Sequence, residues 1–319
     1  MTEKTVPVLY LVSPCYNEQE VLLETGRRLL DKLSGLIEKN KISPKSRILL
    51  VNDGSRDKTW EIIRNLHDAD ARIQGVSLSR NQGHQNALLA GLMTAKDRAD
   101  IVISLDADLQ DDIDAIDEMV RKYCEEDCDV VYGVRKKRST DTAFKKFTAE
   151  GFYKLVNILG GEIVYNHADY RLLSRRALEG LAEFSEVNLF LRGIVPMVGF
   201  KSDIVYYDRQ ERVAGESHYP LGKMLSFAVQ GVTSLTVRPI RLIAEAGLAL
   251  FLLSMFVLFW SIFRWYQGDT IAGWTSIVVS IWANGGLVLL SLGVIGEYIG
   301  KIYLESKHRP RYIIDEYLQ

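Results

Sequence analysis

Ile101–Asp112 reads IVISLDADLQDD, and its first five residues decide the fold class. Ile101-Val102-Ile103-Ser104-Leu105 is β-branched and apolar, the composition of a strand buried on both faces of an α/β sheet. It breaks off into Asp106, Asp108, Asp111 and Asp112, with Gln110 among them. Open α/β sheets bind ligands beyond the carboxyl ends of their strands, so these acids fall where chemistry is expected. Carboxylates gathered at one strand end repel each other, and a hard divalent cation relieves that repulsion. Asp106 and Asp108 therefore read as ligands of Mg²⁺ or Mn²⁺, with open positions left for substrate phosphates. Asp111 and Asp112 read as the opening of the next helix, whose dipole favours acids.

The flanking sequence repeats the design. A strand at Val8–Val12 ends in Ser13-Pro14-Cys15-Tyr16-Asn17-Glu18, and a helix follows from about Glu18 to Lys39 with Leu22, Leu29, Leu33 and Leu36 on one face. Arg47–Val51 closes in Asn52-Asp53-Gly54-Ser55, and Asp57 opens a helix to about Asp68. Ile73–Ser79 runs into Arg80-Asn81-Gln82-Gly83-His84 before a helix at Gln85–Lys96. A helix at Ile113–Cys124 leads to a fifth strand, Asp129–Val134, ending in Arg135-Lys136-Lys137-Arg138. This alternation predicts a doubly wound, mostly parallel sheet with one polar rim. No G-x-G-x-x-G follows the first strand and no G-x-x-x-x-G-K-S/T occurs, which disfavours a dinucleotide-binding domain and a P-loop.

With 39 basic and 41 acidic residues among 319, bulk charge gives no sign of nucleic-acid binding. Apolarity is unevenly spread. Residues 242–263 are broken only by Glu245, and 271–295 carry no charge. Each is long enough to cross a hydrocarbon core of roughly 30 Å as a helix, so two transmembrane helices are expected. Arg238 and Arg241 precede the first, while Lys301, Lys307, Arg309 and Arg311 follow the second. The positive-inside rule then places the catalytic domain and both termini in the cytoplasm, at a multi-pass inner membrane. The N-terminal MTEKTVPVLY has no apolar signal region, in keeping with that orientation. The expected division is a catalytic domain at 1–218, an amphipathic juxtamembrane segment at 219–241, the spans within 242–300 and a cytoplasmic tail at 301–319. Cys124 and Cys128, with no second ligand pair, read as a helix surface and not a zinc site.

Read together, the motifs carry a family resemblance. Pro14-Cys15-Tyr16-Asn17-Glu18, Val51-Asn52-Asp53-Gly54-Ser55, Leu78-Ser79-Arg80-Asn81-Gln82-Gly83 and Asp106-Ala107-Asp108-Leu109-Gln110-Asp111 resemble family 2 glycosyltransferases of the GT-A fold. With Asn166-His167-Ala168-Asp169-Tyr170-Arg171-Leu172, Arg212-Val213-Ala214-Gly215-Glu216-Ser217 and two C-terminal spans, the chain most resembles the bacterial polyisoprenyl-phosphate glycosyltransferases. The likeness covers essentially the whole chain, in the family's order.

The resemblance implies a division of labour. Pro14, Tyr16 and Glu18 would frame the base and ribose of a nucleotide sugar, Asp53 would accept a hydrogen bond from the base, and Ala107 would line the donor site. Asp106 and Asp108, with Gln110, would hold the metal against the diphosphate. Asp169 would stand beside the acceptor as base or orienting group; an Asp169–Arg171 pair bracing a strand edge is the alternative. Arg135, Lys145 and Thr148 suit an acceptor phosphate, and Arg212 and Ser217 match an R-x-x-G-x-S loop over the donor phosphates. The family follows that serine with lysine; this chain has His218, which leaves the role of position 218 open.

The implied reaction is an inverting transfer of a hexose, glucose or N-acetylglucosamine, from a UDP-sugar to undecaprenyl phosphate. A processive polysaccharide synthase is disfavoured, since there is no Q-x-x-R-W and only two spans are expected. A silent membrane scaffold that binds nucleotide sugar is disfavoured by the intact Asp106, Asp108 and Asp169. Gly285-Gly286 and Gly293-x-x-Gly296 would permit close helix packing in a homo-oligomer.

Overall fold

The computed structural model describes residues 6–135, 167–187, 190–208, 238–267 and 274–319. Its centre is an eight-stranded mixed sheet. The strands are β1 (Leu9–Cys15), β2 (Arg47–Asn52), β3 (Ile73–Leu78), β4 (Ile101–Ser104), β5 (Val130–Arg135), β6 (His167–Ser174), β7 (Ser202–Tyr207) and β8 (Ile314–Leu318). They lie in the order β7-β5-β6-β4-β1-β2-β3-β8. The helices are α1 (Leu22–Glu38), α2 (Thr59–Ala69), α3 (His84–Lys96), α4 (Ala115–Glu126), α5 (Arg175–Ala182), α6 (Leu191–Met197), α7 (Arg238–Tyr266) and α8 (Trp274–Ser306).

Every residue of β1 is buried, because the sheet is covered on both faces. Leu9 and Leu11 face a core shared with α1, α2 and α4, while Tyr10 and Val12 face one shared with α3, α5 and α6. The amphipathic α1 buries Leu22, Leu29, Leu33 and Leu36, as their spacing requires. On the opposite face α3 lies so close that a Cβ at Gly91 would stand 2.4 Å from Val12 Cγ1 and 2.8 Å from Val51 Cγ2.

The five anticipated strands form, with α/β alternation between them. The central run β4-β1-β2-β3 is parallel, as expected. The sheet departs from the expected pattern where β6 inserts between β4 and β5, antiparallel to both. Half of β6 (HADYRLLS) is polar, so its sequence lacks the continuous apolar run that marks a buried strand. The stretch expected as a tail contains β8, which pairs antiparallel with β3 at the sheet edge. Trp60 Nε1 donates to Glu316 Oε2 at 3.1 Å, and Arg64 pairs with the same carboxylate at 2.5 Å.

The long helices α7 and α8 cover the two apolar stretches and expose Leu252, Phe256, Phe259, Leu289, Leu292 and Ile299 among others. Among the described residues, the segment Asn284–Ser306 is long and apolar enough to cross a membrane. Helix α8 runs beyond the expected end at 295, its last turn ending at Ser306. That turn meets the sheet domain: Val187 N–H donates to Glu305 Oε2 at 2.9 Å, and Arg311 Nη1 donates to the Phe184 carbonyl at 2.9 Å.

Candidate active site

The strand order reverses between β1 and β4, and open α/β sheets form their binding crevice beyond the carboxyl ends of the strands at such a switch point. Three loops build one wall. Asn17, with left-handed φ of 55°, donates its N–H to Ser55 Oγ at 3.0 Å, and Arg56 N–H returns a bond to Asn17 Oδ1 at 3.0 Å. Tyr16 stands exposed above this seam, Pro14 is buried in β1, and Glu18 is half-buried with its N–H bonded to Thr59 Oγ1 at 2.9 Å. Gly54 has φ of +60° and touches the next loop so closely that a Cβ would lie 2.5 Å from Arg80 C and Asn81 N.

Asp53 is buried, and its carboxylate accepts from Gln82 N–H at 2.7 Å and Gly83 N–H at 3.0 Å. Burial raises its pKa above the ordinary value despite these two donors. The residue expected to meet the base thus also secures the β3–α3 loop. Each carboxylate oxygen has a second lone pair, so the two tasks are compatible.

The acidic turn after β4 is locally constrained. Leu109 adopts a left-handed φ of 56°, uncommon for a non-glycine residue, and Gln110 N–H donates to Asp108 Oδ1 at 3.1 Å. Thr25 Oγ1 donates to the Ala107 carbonyl at 2.7 Å, fixing the turn to α1. Asp106 faces His84 Nε2 at 3.6 Å, with 36 % of its side chain exposed. Burial, with Asp111, Asp169 and Asp108 nearby, pushes its carboxyl up to about 6 even though His84 opposes the shift.

The antiparallel register pairs Ser104 with Arg171. Beyond the end of that register, His84 Nε2 lies 3.6 Å from Asp106 Oδ1 and 3.5 Å from Asp169 Oδ2, so the two acids share one neighbourhood. Ser104 Oγ donates to the Asp169 carbonyl at 2.5 Å. The Asp169 carboxylate is buried beside nitrogen donors of three residues. Arg171 Nη2 lies 2.5 Å from Oδ1, Arg192 Nη2 2.9 Å from Oδ2, and His84 Nε2 3.5 Å from Oδ2. Burial alone would raise this carboxyl, but Arg192, His84 and Arg171 hold it well below the usual carboxylate range. The Asp169–Arg171 brace weighed as an alternative is present, and Arg171 is itself buried, with Nη1 donating to the Leu191 carbonyl at 3.3 Å.

Asp111 does not open a helix, since α4 begins at Ala115. It is buried, accepts from Tyr207 Oη at 2.5 Å and lies 3.6 Å from Arg135 Nη2. Arg135 Nε donates to the same Tyr207 hydroxyl at 3.2 Å. Burial disfavours an unpartnered charge, so Asp111 and Arg135 meet across the strand ends of β4, β5 and β7. Asp112 stays local, accepting from Asp114 N–H at 3.0 Å. Lys145, Thr148, Arg212, Ser217 and His218 lie outside the described residues, as does 219–237 of the juxtamembrane segment.

His84, Arg192 and Tyr207 belong to the site although sequence reading did not select them. Arg192 carried one signal, a lone charge in the apolar run LFLRGIV, which burial obliges to find a partner. Cys128 is not on a helix surface: Asp127, with φ of 54°, ends α4, and Cys128 is buried beyond it. At the far end of the sheet it neighbours Glu126 and Asp203, and Lys122 pairs with both carboxylates.

The sequence profile of Glycosyl transferase family 2 matches residues 10–181. An uncharacterized glycosyltransferase of Bacillus subtilis (strain 168), YkoT, is 52% identical over 98% of this chain and 93% of its own. A bactoprenol glucosyl transferase of Shigella phage SfV is 40% identical over 95% of this chain and 97% of its own. Among solved structures, that of a mycobacterial protein shares the fold with a TM-score of 0.50, at 17% identity over 73% of this chain and 74% of that one. By its profile, its relatives and its fold, the chain is a glycosyltransferase and belongs to Glycosyl transferase family 2.

Proposed function

We propose that the chain transfers glucose or N-acetylglucosamine, with inversion, from a UDP-linked donor to undecaprenyl phosphate at the cytoplasmic membrane face. The observation that carries this reading is that His84 Nε2 lies 3.6 Å from Asp106 Oδ1 and 3.5 Å from Asp169 Oδ2, which brings the two acids together near the β1–β4 switch point. One strand end then serves the donor diphosphate and the other the acceptor. The likeness to a bactoprenol glucosyl transferase supports a polyprenyl carrier and makes glucose the first sugar to test.

Asp106, Asp108 and Gln110 offer hard oxygen donors, and Asp106, raised by burial and then by the acids around it, fits a divalent cation. Bound there, Mg²⁺ or Mn²⁺ would neutralise charge on the departing nucleoside diphosphate. Pro14, Tyr16 and Glu18 border the nucleotide, Asp53 secures the neighbouring loop and meets the base, and Arg212 and Ser217 close over the phosphates. A phosphate monoester has its second pKa near 6, so the acceptor oxygen is largely anionic at neutral pH. It attacks the anomeric carbon opposite the leaving diphosphate. Asp169, held ionised by Arg192 and Arg171, orients the acceptor side and is not needed as a base. Arg135, tied to Asp111 and Tyr207, receives the acceptor phosphate with Lys145 and Thr148.

Helices α7 and α8 are read as the two membrane spans. The bonds from Glu305 and Arg311 to the 184–187 segment then keep the crevice at a fixed offset from the bilayer. The test is detergent-solubilised protein with undecaprenyl phosphate, Mn²⁺ and radiolabelled UDP-glucose or UDP-N-acetylglucosamine, scored for labelled lipid, with Asp108→Ala beside it. Label entering lipid from one donor and lost in the variant is expected. Metal-dependent UDP binding with no lipid product from either donor would overturn the reading.

A further inference from the structure

The first two residues of α3 sit where the donor and acceptor halves of the crevice meet. Asp53 clamps Gln82 and Gly83, and Gly83 with φ of +87° turns the chain directly into His84. The imidazole is delivered between the two carboxylates, with Nε2 3.6 Å from Asp106 Oδ1 and 3.5 Å from Asp169 Oδ2. Both are carboxylate oxygens, which only accept, so the nitrogen facing them is the one that carries hydrogen. The next residue, Gln85, accepts from Leu191 N–H through Oε1 at 2.8 Å. Leu191 begins α6, and its neighbour Arg192 donates to the same Asp169 Oδ2 at 2.9 Å and to Oδ1 at 3.3 Å. Two consecutive residues at one helix start therefore bear on the acceptor-side carboxylate, His84 directly and Gln85 through the backbone beside Arg192.

We infer that His84 is a positioning residue for glycosyl transfer, its Nε2–H fixing the donor-side Asp106 and the acceptor-side Asp169 at a set separation, with Gln85 securing the Arg192 side. This rests on the donor and acceptor roles proposed above. The physical basis is proximity: an in-line displacement needs its two reactants aligned, and a misplacement of about 1 Å costs on the order of 100-fold in rate. His84 makes none of the hydrophobic core, and its side chain is 44 % exposed, so its replacement leaves the packing intact.

The experiment compares wild type, His84→Ala, His84→Gln and Gln85→Ala in full-length solubilised protein, with kcat and KM measured separately for UDP-sugar and undecaprenyl phosphate. Glutamine is chosen because its amide nitrogen takes the place of Nε2 and donates without charge. We expect H84A to lower kcat about 100-fold with the KM for UDP-sugar changed less than about threefold, H84Q to recover at least about tenfold of that loss, and Q85A to raise the KM for the lipid. Melting temperatures equal to wild type accompany these changes. An H84A enzyme with normal kcat, or a folded H84Q enzyme as slow as H84A, would overturn the inference while leaving the transferase reading standing. A wild-type enzyme that labels no lipid would overturn both.

Discussion

Arg192 grips Asp169 along one edge of its guanidinium, with Nη2 2.9 Å from Oδ2 and Nε 3.3 Å from Oδ1. Such paired contacts are stronger and more directional than a single charged hydrogen bond. They keep Asp169 ionised, since Arg192 is a leading cause of its lowered pKa. Removing that charge lets the proton bind more readily, so the carboxyl pKa rises. We predict that Arg192→Ala moves the acid limb of the kcat/KM profile for the lipid to higher pH and lowers kcat about 10- to 100-fold. A profile superimposable on wild type would contradict this.

Arg171 makes the other contact to Asp169 from within the core, at 1 % side-chain exposure. Its loss leaves the buried carboxylate to Arg192 and His84 and takes a donor from the Leu191 carbonyl. Arg171→Ala is expected to destabilise the sheet domain by about 3–5 kcal/mol, measured by urea unfolding, where the more exposed Arg192 costs less.

Asp106 has a carboxyl pushed up to about 6. A proton there competes with a cation, so Mn²⁺ affinity measured by calorimetry should fall as pH drops through that value. The sign for stability is the reverse of the usual carboxylate case. The folded pKa lies above the unfolded one, so ionised Asp106 destabilises the metal-free fold once pH exceeds the folded value. Asp106→Asn should therefore raise the melting temperature of the metal-free protein at pH 7.5 while abolishing metal-dependent UDP binding.

Gly54 and Gly35 answer oppositely to one methyl group. At Gly54 a Cβ meets backbone at 2.5 Å with φ at +60°, whereas nothing lies within 4 Å of one at Gly35 in α1. Gly54→Ala should cost on the order of 3 kcal/mol or more and displace the Arg80–Asn81 loop. Gly35→Ala should stabilise by up to about 1 kcal/mol through helix propensity. Denaturant titration of both proteins checks the pair.

Ending the chain after residue 312 would remove β8 and expose the edge of β3, together with Trp60, whose indole loses Glu316. A lowered melting temperature and a greater tendency to associate are expected, read by thermal melt and light scattering.

Local chemistry made much of this molecule legible. Apolar runs ending in polar loops marked β1 to β5, and 3.6-residue spacing marked α1, because a covered sheet and an amphipathic helix impose those patterns on their own residues. The acids at 106 and 108 stood out because charge at a strand end is conspicuous beside the buried residues before it. The tertiary structure decided what depends on partners distant in the chain. The antiparallel entry of β6 brought Asp169 within reach of the same His84 that meets Asp106, across a sequence separation that no local pattern spans. It also drew Asp111 out of its expected helix and onto Tyr207 and Arg135, because a carboxylate buried there needs donors that β5 and β7 supply. His84 and Arg192 share that origin: a sequence shows which groups can carry charge, while the fold decides which charges must meet.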